Sequence, residues 1–268
     1  MPVSLYEAAW IFLIYAFLGW CMEVAYAALE LKQFVNRGFL NGPVCPIYGC
    51  GVLLVVFVLT PLKGSFLLLF AGSFFLTSAI EFITGFLLEK IFHNQWWDYS
   101  EENFNICGYV CLKFSILWGL GCTLIMDVIH PNIFRFIRFI PKIPGFAVLV
   151  LLLLVFVTDL ILTVSTILSF NRHLKLLDEA SSKIKTVSDE IGENIYEGVI
   201  VAMEKSGEVK ENIEKKAEQI RLQQEYEKLM NYKTSGMKRL MKAFPHMKSR
   251  SYQEVLTRWK NYRNERKL

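Results

Sequence analysis

Charge is scarce over the first two thirds of this 268-residue chain, and that scarcity excludes a water-soluble core. Residues 1–169 hold eight Lys/Arg and ten Asp/Glu, a net of −2, separated by long runs with no ionisable group. Residues 170–268 hold the other 21 Lys/Arg and 15 Asp/Glu, a net of +6. Catalytic motifs are missing as well. No G-x-x-x-x-G-K-[ST] occurs, so the chain carries no P-loop for ATP hydrolysis. No H-E-x-x-H occurs, and His93, His130, His173 and His246 are scattered singly, so no metal site is expected. A G-x-S-x-G elbow is also absent. All six cysteines lie in the apolar part. Neither Cys45 and Cys50 nor Cys107 and Cys111 have C-x-x-C spacing, which argues against a disulfide scaffold, zinc or redox chemistry. They read as small buried groups that let helices pack closely. No cofactor or catalytic residue is implied, although an acidic pair in a wet cavity leaves the question of enzymatic activity open.

What is present is apolar surface: 53% of residues are hydrophobic and the mean hydropathy is +0.34. An all-α, polytopic membrane protein with about five transmembrane helices is expected, with spans near Leu5 to Leu31, Val44 to Leu59, Gly64 to Leu88, Cys107 to Ile129 and Phe146 to Phe170. The second is short and rich in Gly and Pro, so it reads as a tilted or broken helix entering the membrane partway. The first reads as a retained span. It lacks a basic stretch ahead of it, and Glu23 interrupts it before the Ala25-x-Ala27 pattern. Arg172, Lys175, Lys183 and Lys185 favour a cytoplasmic C-terminal tail, which places Lys32, Arg37 and Lys90 inside and Lys63 outside. A loop with Arg135, Arg138 and Lys142 then falls outside, against the rule.

The expected organisation is a transmembrane domain over residues 1–170 and a charged, coiled-coil-like helical tail over 171–268. In the tail Ile184, Val187, Ile191 and Ile195 recur at helical steps, as do Val209, Ile213, Ala217 and Ile220, and Glu211 with Lys215 has i, i+4 spacing. Residues 231–268 carry eleven Lys/Arg against two Glu, interleaved with Phe244, Tyr252, Trp259 and Tyr262. Such a segment suits an anionic lipid surface or an acidic cytosolic partner. The alternative is a solvated basic tail.

An ionisable group inside a span costs on the order of 2.5 to 3.5 kcal/mol and is usually functional. Four stand out: Glu23, Glu81, Lys113 and Asp159. Glu23 and Glu81 are each followed fifteen residues on by a polar loop, around Gly38 and Trp96, and then by a Gly/Cys-rich span start. This spacing predicts a parallel repeat of two helical hairpins, each with one acidic residue, enclosing a site near the bilayer midplane. The alternative is that each glutamate neutralises Arg37 or Lys113 to lock packing. Arg37 and Asn41 offer donors for a carboxylate or phosphate. Trp96, Trp97 and Tyr99 read as an interfacial belt or as stacking partners of a ligand.

Further residues carry a family resemblance. They are Gly19-Trp20-x-x-Glu23, then Phe34-Val35-Asn36-Arg37-Gly38-Phe39-Leu40-x-Gly42-Pro43-x-x-Pro46-Ile47-Tyr48-Gly49-x-Gly51, then Glu81-x-x-Thr84-Gly85-x-x-Leu88-Glu89 and Trp97-Asp98-Tyr99-Ser100. Asn105-Ile106-x-Gly108-x-x-Cys111-Leu112 and Trp118-Gly119 close the set. Over about residues 5–170 the chain resembles the bacterial family of type IV ABC-transporter permeases, the CmpB-like membrane proteins. The resemblance implies a multi-pass protein of the bacterial plasma membrane whose energy comes from a separate ATPase subunit.

Three functional readings follow. In the first, a permease carries a small polar or anionic solute between two hairpins, along Glu23, Arg37, Asn41, Tyr48, Glu81, Asp98, Tyr99, Asn105 and Lys113. The second is a membrane anchor or sensor that recruits a cytosolic partner through its helical tail. The third is an intramembrane enzyme acting on a lipid head group. Gly-rich faces around Gly72, Gly85, Gly119 and Gly121 suit packing within one chain or in a homo-oligomer, and nothing points to nucleic acid.

Overall fold

The computed structural model describes residues 4–201, 209–232 and 235–265, except the side chains of residues 192–201, 209–215, 235 and 264. Within these residues the chain is almost entirely helical. α1 (Leu5–Leu31) starts at Ser4, whose side chain accepts from the Glu7 N–H, and ends at Lys32 in the left-handed region. α3 (Phe66–Phe92) is the same length, with Ser65 as its N-cap and left-handed His93 as its C-cap. Between them lies α2 (Pro46–Leu59), followed by a 3-10 turn, Thr60–Leu62. α4 (Leu112–Leu124) passes through a π turn, Ile125–Ile129, into α5 (His130–Phe139). The π turn has a local cause. Pro131 offers no N–H and would crowd the preceding turn, so the wider turn absorbs it without breaking the helix.

Among the described residues, four helices are long and apolar enough to cross a bilayer: Leu5–Leu31, Phe66–Phe92, Leu112–Phe139 and Lys142–Ile191. The expected second span corresponds to the shorter apolar helix Pro46–Leu62. Its α-helical part, 14 residues, is about 21 Å long, less than the roughly 30 Å hydrocarbon core. The stretch expected as an external loop is different. Arg135 and Arg138 sit on α5, with Arg138 paired to Glu7 at 3.4 Å and placed over the Phe134 ring.

The chain forms two compact units. The first comprises Met1–Ile167 and Ser235–Arg250, so part of the segment read as tail folds with the membrane helices. Its core packs α1 against α2 and α3 against α4, with Trp10, Ile11, Tyr15, Val55, Val56, Leu69, Met126 and Ile137 at the centre. The first part of α6 (Lys142–Val201) joins this core through Leu149. α8 (Ser235–Ala243) and β4 (Lys248–Ser249) complete the unit. Two short antiparallel pairings fix its loops: β1 (Asn94–Gln95) with β4, and β2 (Asn105–Ile106) with β3 (Val110–Cys111).

The second unit comprises Leu168–Thr234 and Ser251–Leu268. Here the later part of α6, α7 (Val209–Met230) and α9 (Gln253–Glu265) bury Phe170, Leu174, Leu177, Met230, Leu256 and Trp259. The α6 stripe expected at Ile184, Val187 and Ile191 is partly buried. The α7 stripe needs correction. Ala217 and Ile220 are exposed, and the inward positions are Leu222, Tyr226, Leu229 and Met230, again at helical spacing. Ile195, Val209, Ile213 and the Glu211–Lys215 pair lie outside the described side chains. All six cysteines are free; Cys45, Cys111 and Cys122 are buried as expected, whereas Cys50 and Cys107 are exposed.

The tightest approach between α1 and α2 is at Gly19, where a Cβ would overlap the Tyr48 ring. Gly19→Ala should therefore destabilise the hairpin by about 1–3 kcal/mol through overpacking. Gly51→Ala, which meets open space, should be neutral or slightly stabilising. Thermal unfolding of both variants in the same detergent checks the contrast.

Candidate functional site

Glu23 lies about two turns before the end of α1, and Tyr48, in the first turn of α2, donates its phenol O–H to Glu23 Oε1 at 2.5 Å. Arg37 Nε lies 3.3 Å from Glu23 Oε2, its NH1 3.6 Å from Glu30, and its guanidinium over the Tyr26 ring. In the second hairpin, Tyr99 donates to Glu81 Oε1 at 3.2 Å and stacks on Phe114. Trp118 of α4 joins the two halves. Its indole approaches the Glu81 carboxyl and meets the Tyr48 ring edge to face at 5.5 Å. Glu23 and Glu81 are close enough to repel each other electrostatically. Glu81 Oε2 is buried and has no hydrogen-bond partner. Tyr99 remains a neutral donor at physiological pH, because burial and then the Glu81 charge raise its pKa above the ordinary phenol value.

The other expected residues form a collar of fixed loops. Asn41 donates from its backbone and side chain to Asp159 Oδ1 at 3.1 and 2.8 Å, and the Gly42 N–H donates to Asp159 Oδ2 at 2.6 Å. Asn36 accepts from the Trp20 indole and the Gly38 N–H. Asn105 ties its own turn, donating to the Ser100 and Glu102 carbonyls and accepting from Gly108, which sits at φ +72. Asp98 accepts from Ser100 and from Lys248 at 2.5 Å. Trp96 is buried between Phe39 and Phe244, and the Trp97 indole donates to the Tyr109 carbonyl. Lys113 is exposed and pairs with Glu102 at 3.1 Å. Neutralisation of a glutamate by Arg37 therefore holds for Glu23, while Lys113 is engaged elsewhere.

Three basic residues from Ser235–Arg250 close the collar. Arg239 spreads its fork over the Gly38 and Phe39 carbonyls, at 2.8 and 2.9 Å, and Asn41 Oδ1 at 3.0 Å. Lys248 holds Asp98. Arg250 pairs with Glu89, the only buried carboxylate among the described residues, which also accepts from the Tyr109 phenol at 2.5 Å. No group of three or more His, Cys, Asp or Glu among the described residues could hold a metal ion.

A family model described as "Putative ABC-transporter type IV" matches residues 10–164. The chain belongs to that family. No solved structure matches it. The match to this ABC-transporter-type family contains every site residue expected from the sequence, Glu23 through Lys113. Trp118, Glu89 and Tyr109 also lie inside it; Trp118 and Glu89 are named in the quoted motifs, and Tyr109 falls at an open position of one. Arg239, Lys248 and Arg250 lie beyond the match. Their partners are 150 to 201 residues away in sequence, so no local pattern marks them.

Two predictions follow from the collar. Arg239→Ala should cost about 2 kcal/mol and expose the 34–43 loop to backbone hydrogen exchange. Arg239→Lys should fail to restore protection, because an ammonium cannot span three acceptors in one plane. The second concerns Asp98. Although burial opposes ionisation, the Lys248 ammonium and the Ser100 donors together hold its pKa down to about 2. A depressed carboxyl stabilises the fold above the ordinary carboxylate range and loses that contribution as pH falls toward 2. Protection of the β1–β4 pairing should therefore be flat from pH 7 to 5 and be lost in Asp98→Asn at pH 7.

Proposed function

We propose that this chain is the membrane-embedded permease subunit of a transporter of small polar solutes in the bacterial plasma membrane, with ATP hydrolysed by a separate subunit. Glu23 and Glu81 form its proton- or cation-binding element. The observation that carries this reading is the pair of carboxylates, one from each hairpin, in one network with Tyr48, Trp118 and Tyr99, where Glu81 Oε2 has no partner. Two carboxylates and one guanidinium leave a net charge of −1 when all are ionised. A proton, a cation or a solute N–H or O–H completes such a site, and an anion does not. Arg37, once a candidate anion clamp, is committed to Glu23 and Glu30. The geometry thus favours the polar solute over the anionic one.

The hairpins α1–α2 and α3–α4 act as the two halves of a repeat, each ending its long helix in a left-handed cap and each offering one tyrosine to one glutamate. Asn41, Asp98 and Asn105 shape the mouth rather than contact solute. The mouth faces the cytoplasm. The contacts of Arg239, Lys248 and Arg250 put residues 235–250 on the same side as Lys32, Arg37 and Lys90. That side is the richer in basic residues, against Lys63, Arg135, Arg138 and Lys142 on the other.

Purified chain in lipid vesicles loaded with a pH-sensitive dye tests the reading under an imposed potassium diffusion potential. Glu81→Gln and Glu23→Gln are expected to slow proton entry by about tenfold or more, as loss of a relay carboxylate does, and Tyr99→Phe by less. Unchanged entry in both carboxylate variants would leave the pair with a packing role only.

A further inference from the structure

Beside the collar, at the end of α3, lies a second polar concavity that the transport reading does not use. It is a pocket of about 320 Å³ lined by Phe86, Glu89, Lys90, His93, Tyr109 and Arg250. Its floor is the buried Glu89 carboxylate. One oxygen accepts from the Tyr109 phenol and the other faces the Arg250 guanidinium, so the acid is neutralised and both oxygens are engaged. The remaining charge is positive. Lys90 is exposed and has no ion-pair partner among the described residues; its ammonium lies 5.6 Å from the Phe86 ring centroid. The Arg250 side chain is 74% exposed, although its head is anchored to Glu89 and its backbone N–H donates to the His93 carbonyl. His93, the left-handed cap of α3, adds ring nitrogens at the rim. No second carboxylate lines the pocket.

The wall of the pocket is as informative as its charge. Phe86 belongs to it and is 43% exposed, and Leu87 and Ile91, flanking it on α3, are exposed too. A cationic cavity at the last turn of a membrane-length helix, with a half-exposed phenylalanine in its wall and exposed apolar residues next to it on the helix, matches a phosphate that carries a hydrocarbon chain. We propose that this pocket binds the phosphate of an anionic phospholipid, with Lys90 and Arg250 as its cationic ligands and Phe86 against the acyl-glycerol portion. A free phosphate would satisfy the same charges and leave the apolar wall unused. A zwitterionic lipid would bring a choline ammonium to a site that is already positive.

The test uses the full chain, purified from nanodiscs containing equal phosphatidylglycerol and phosphatidylcholine and examined by native mass spectrometry. Retention of phosphatidylglycerol over phosphatidylcholine is expected, and Lys90→Gln should lower it roughly fivefold, the share of one surface cation. Lys90→Ala provides the same comparison if Lys90→Gln misfolds. Equal retention of the two lipids, or the same retention in wild type and variant, overturns the proposal. Inorganic phosphate supplies the last arm. If it displaces the retained lipid and alone raises the melting temperature, the pocket takes a soluble phosphate and the lipid assignment fails; without displacement the assignment stands.

Discussion

A carboxylate in or beside hydrocarbon must be met by donors, and that single demand organises the membrane unit of this protein. Glu23, Glu81 and Asp159, half-buried, and Glu89, buried, all lie on its apolar helices. Each is met by groups from another part of the chain. Glu23 takes Tyr48 and Arg37, Glu81 takes Tyr99, Glu89 takes Tyr109 and Arg250, and Asp159 takes the backbone and side chain of Asn41 with the Gly42 N–H. The long polar loops follow from this requirement. A short turn between helices could not carry a phenol or a row of amides back to a glutamate several residues inside a span.

The same demand draws in Ser235–Arg250. Arg239 caps carbonyls of the loop whose amides serve Asp159, so that loop is held through its donors by one residue and its acceptors by another. Lys248 lies in β4 and Arg250 directly follows it, and β4 pairs with β1 directly after α3. Removing everything after residue 170 would consequently strip the membrane unit of three cations that satisfy its own loops. Loss of activity on such a deletion would therefore not assign the activity to the second unit.

The sequence made the apolar spans, Glu23, Glu81 and the Tyr48 and Tyr99 loops legible, because a charge in a charge-poor helix is a local signal. Glu89 lies one turn from the end of α3, where a carboxylate ordinarily reaches water, so its burial under Arg250 left no mark in the pattern. Trp96, read with Trp97 as a belt or a ligand platform, is buried instead. Phe39 and Phe244 enclose Trp96, and that small apolar core under the loops is assembled from segments far apart in sequence. On α7 the apolar residues continue past one helical stripe into another, and only packing against α6 and α9 decides which faces inward. The extension of α4 through the π turn was hidden by Pro131, a residue that usually ends a helix and here only widens it.

The four carboxylates also separate by how completely they are satisfied. Both Asp159 oxygens accept from neutral donors fixed by the backbone, an arrangement that supports a negative charge and gives it nowhere to go. Glu89 is neutralised by a guanidinium and a phenol, which makes it a structural floor for its pocket. Glu23 is half neutralised by Arg37. Glu81 alone has a buried oxygen with no partner, a neutral phenol on the other oxygen and a second carboxylate within electrostatic reach. Burying an unpaired acceptor costs about 1–3 kcal/mol, which packing alone does not require here, because an Asn or Gln on the facing helix would remove the cost. Incomplete satisfaction at Glu81, beside complete satisfaction at Asp159 in the same unit, is the contrast on which the proposed exchange role of Glu81 rests.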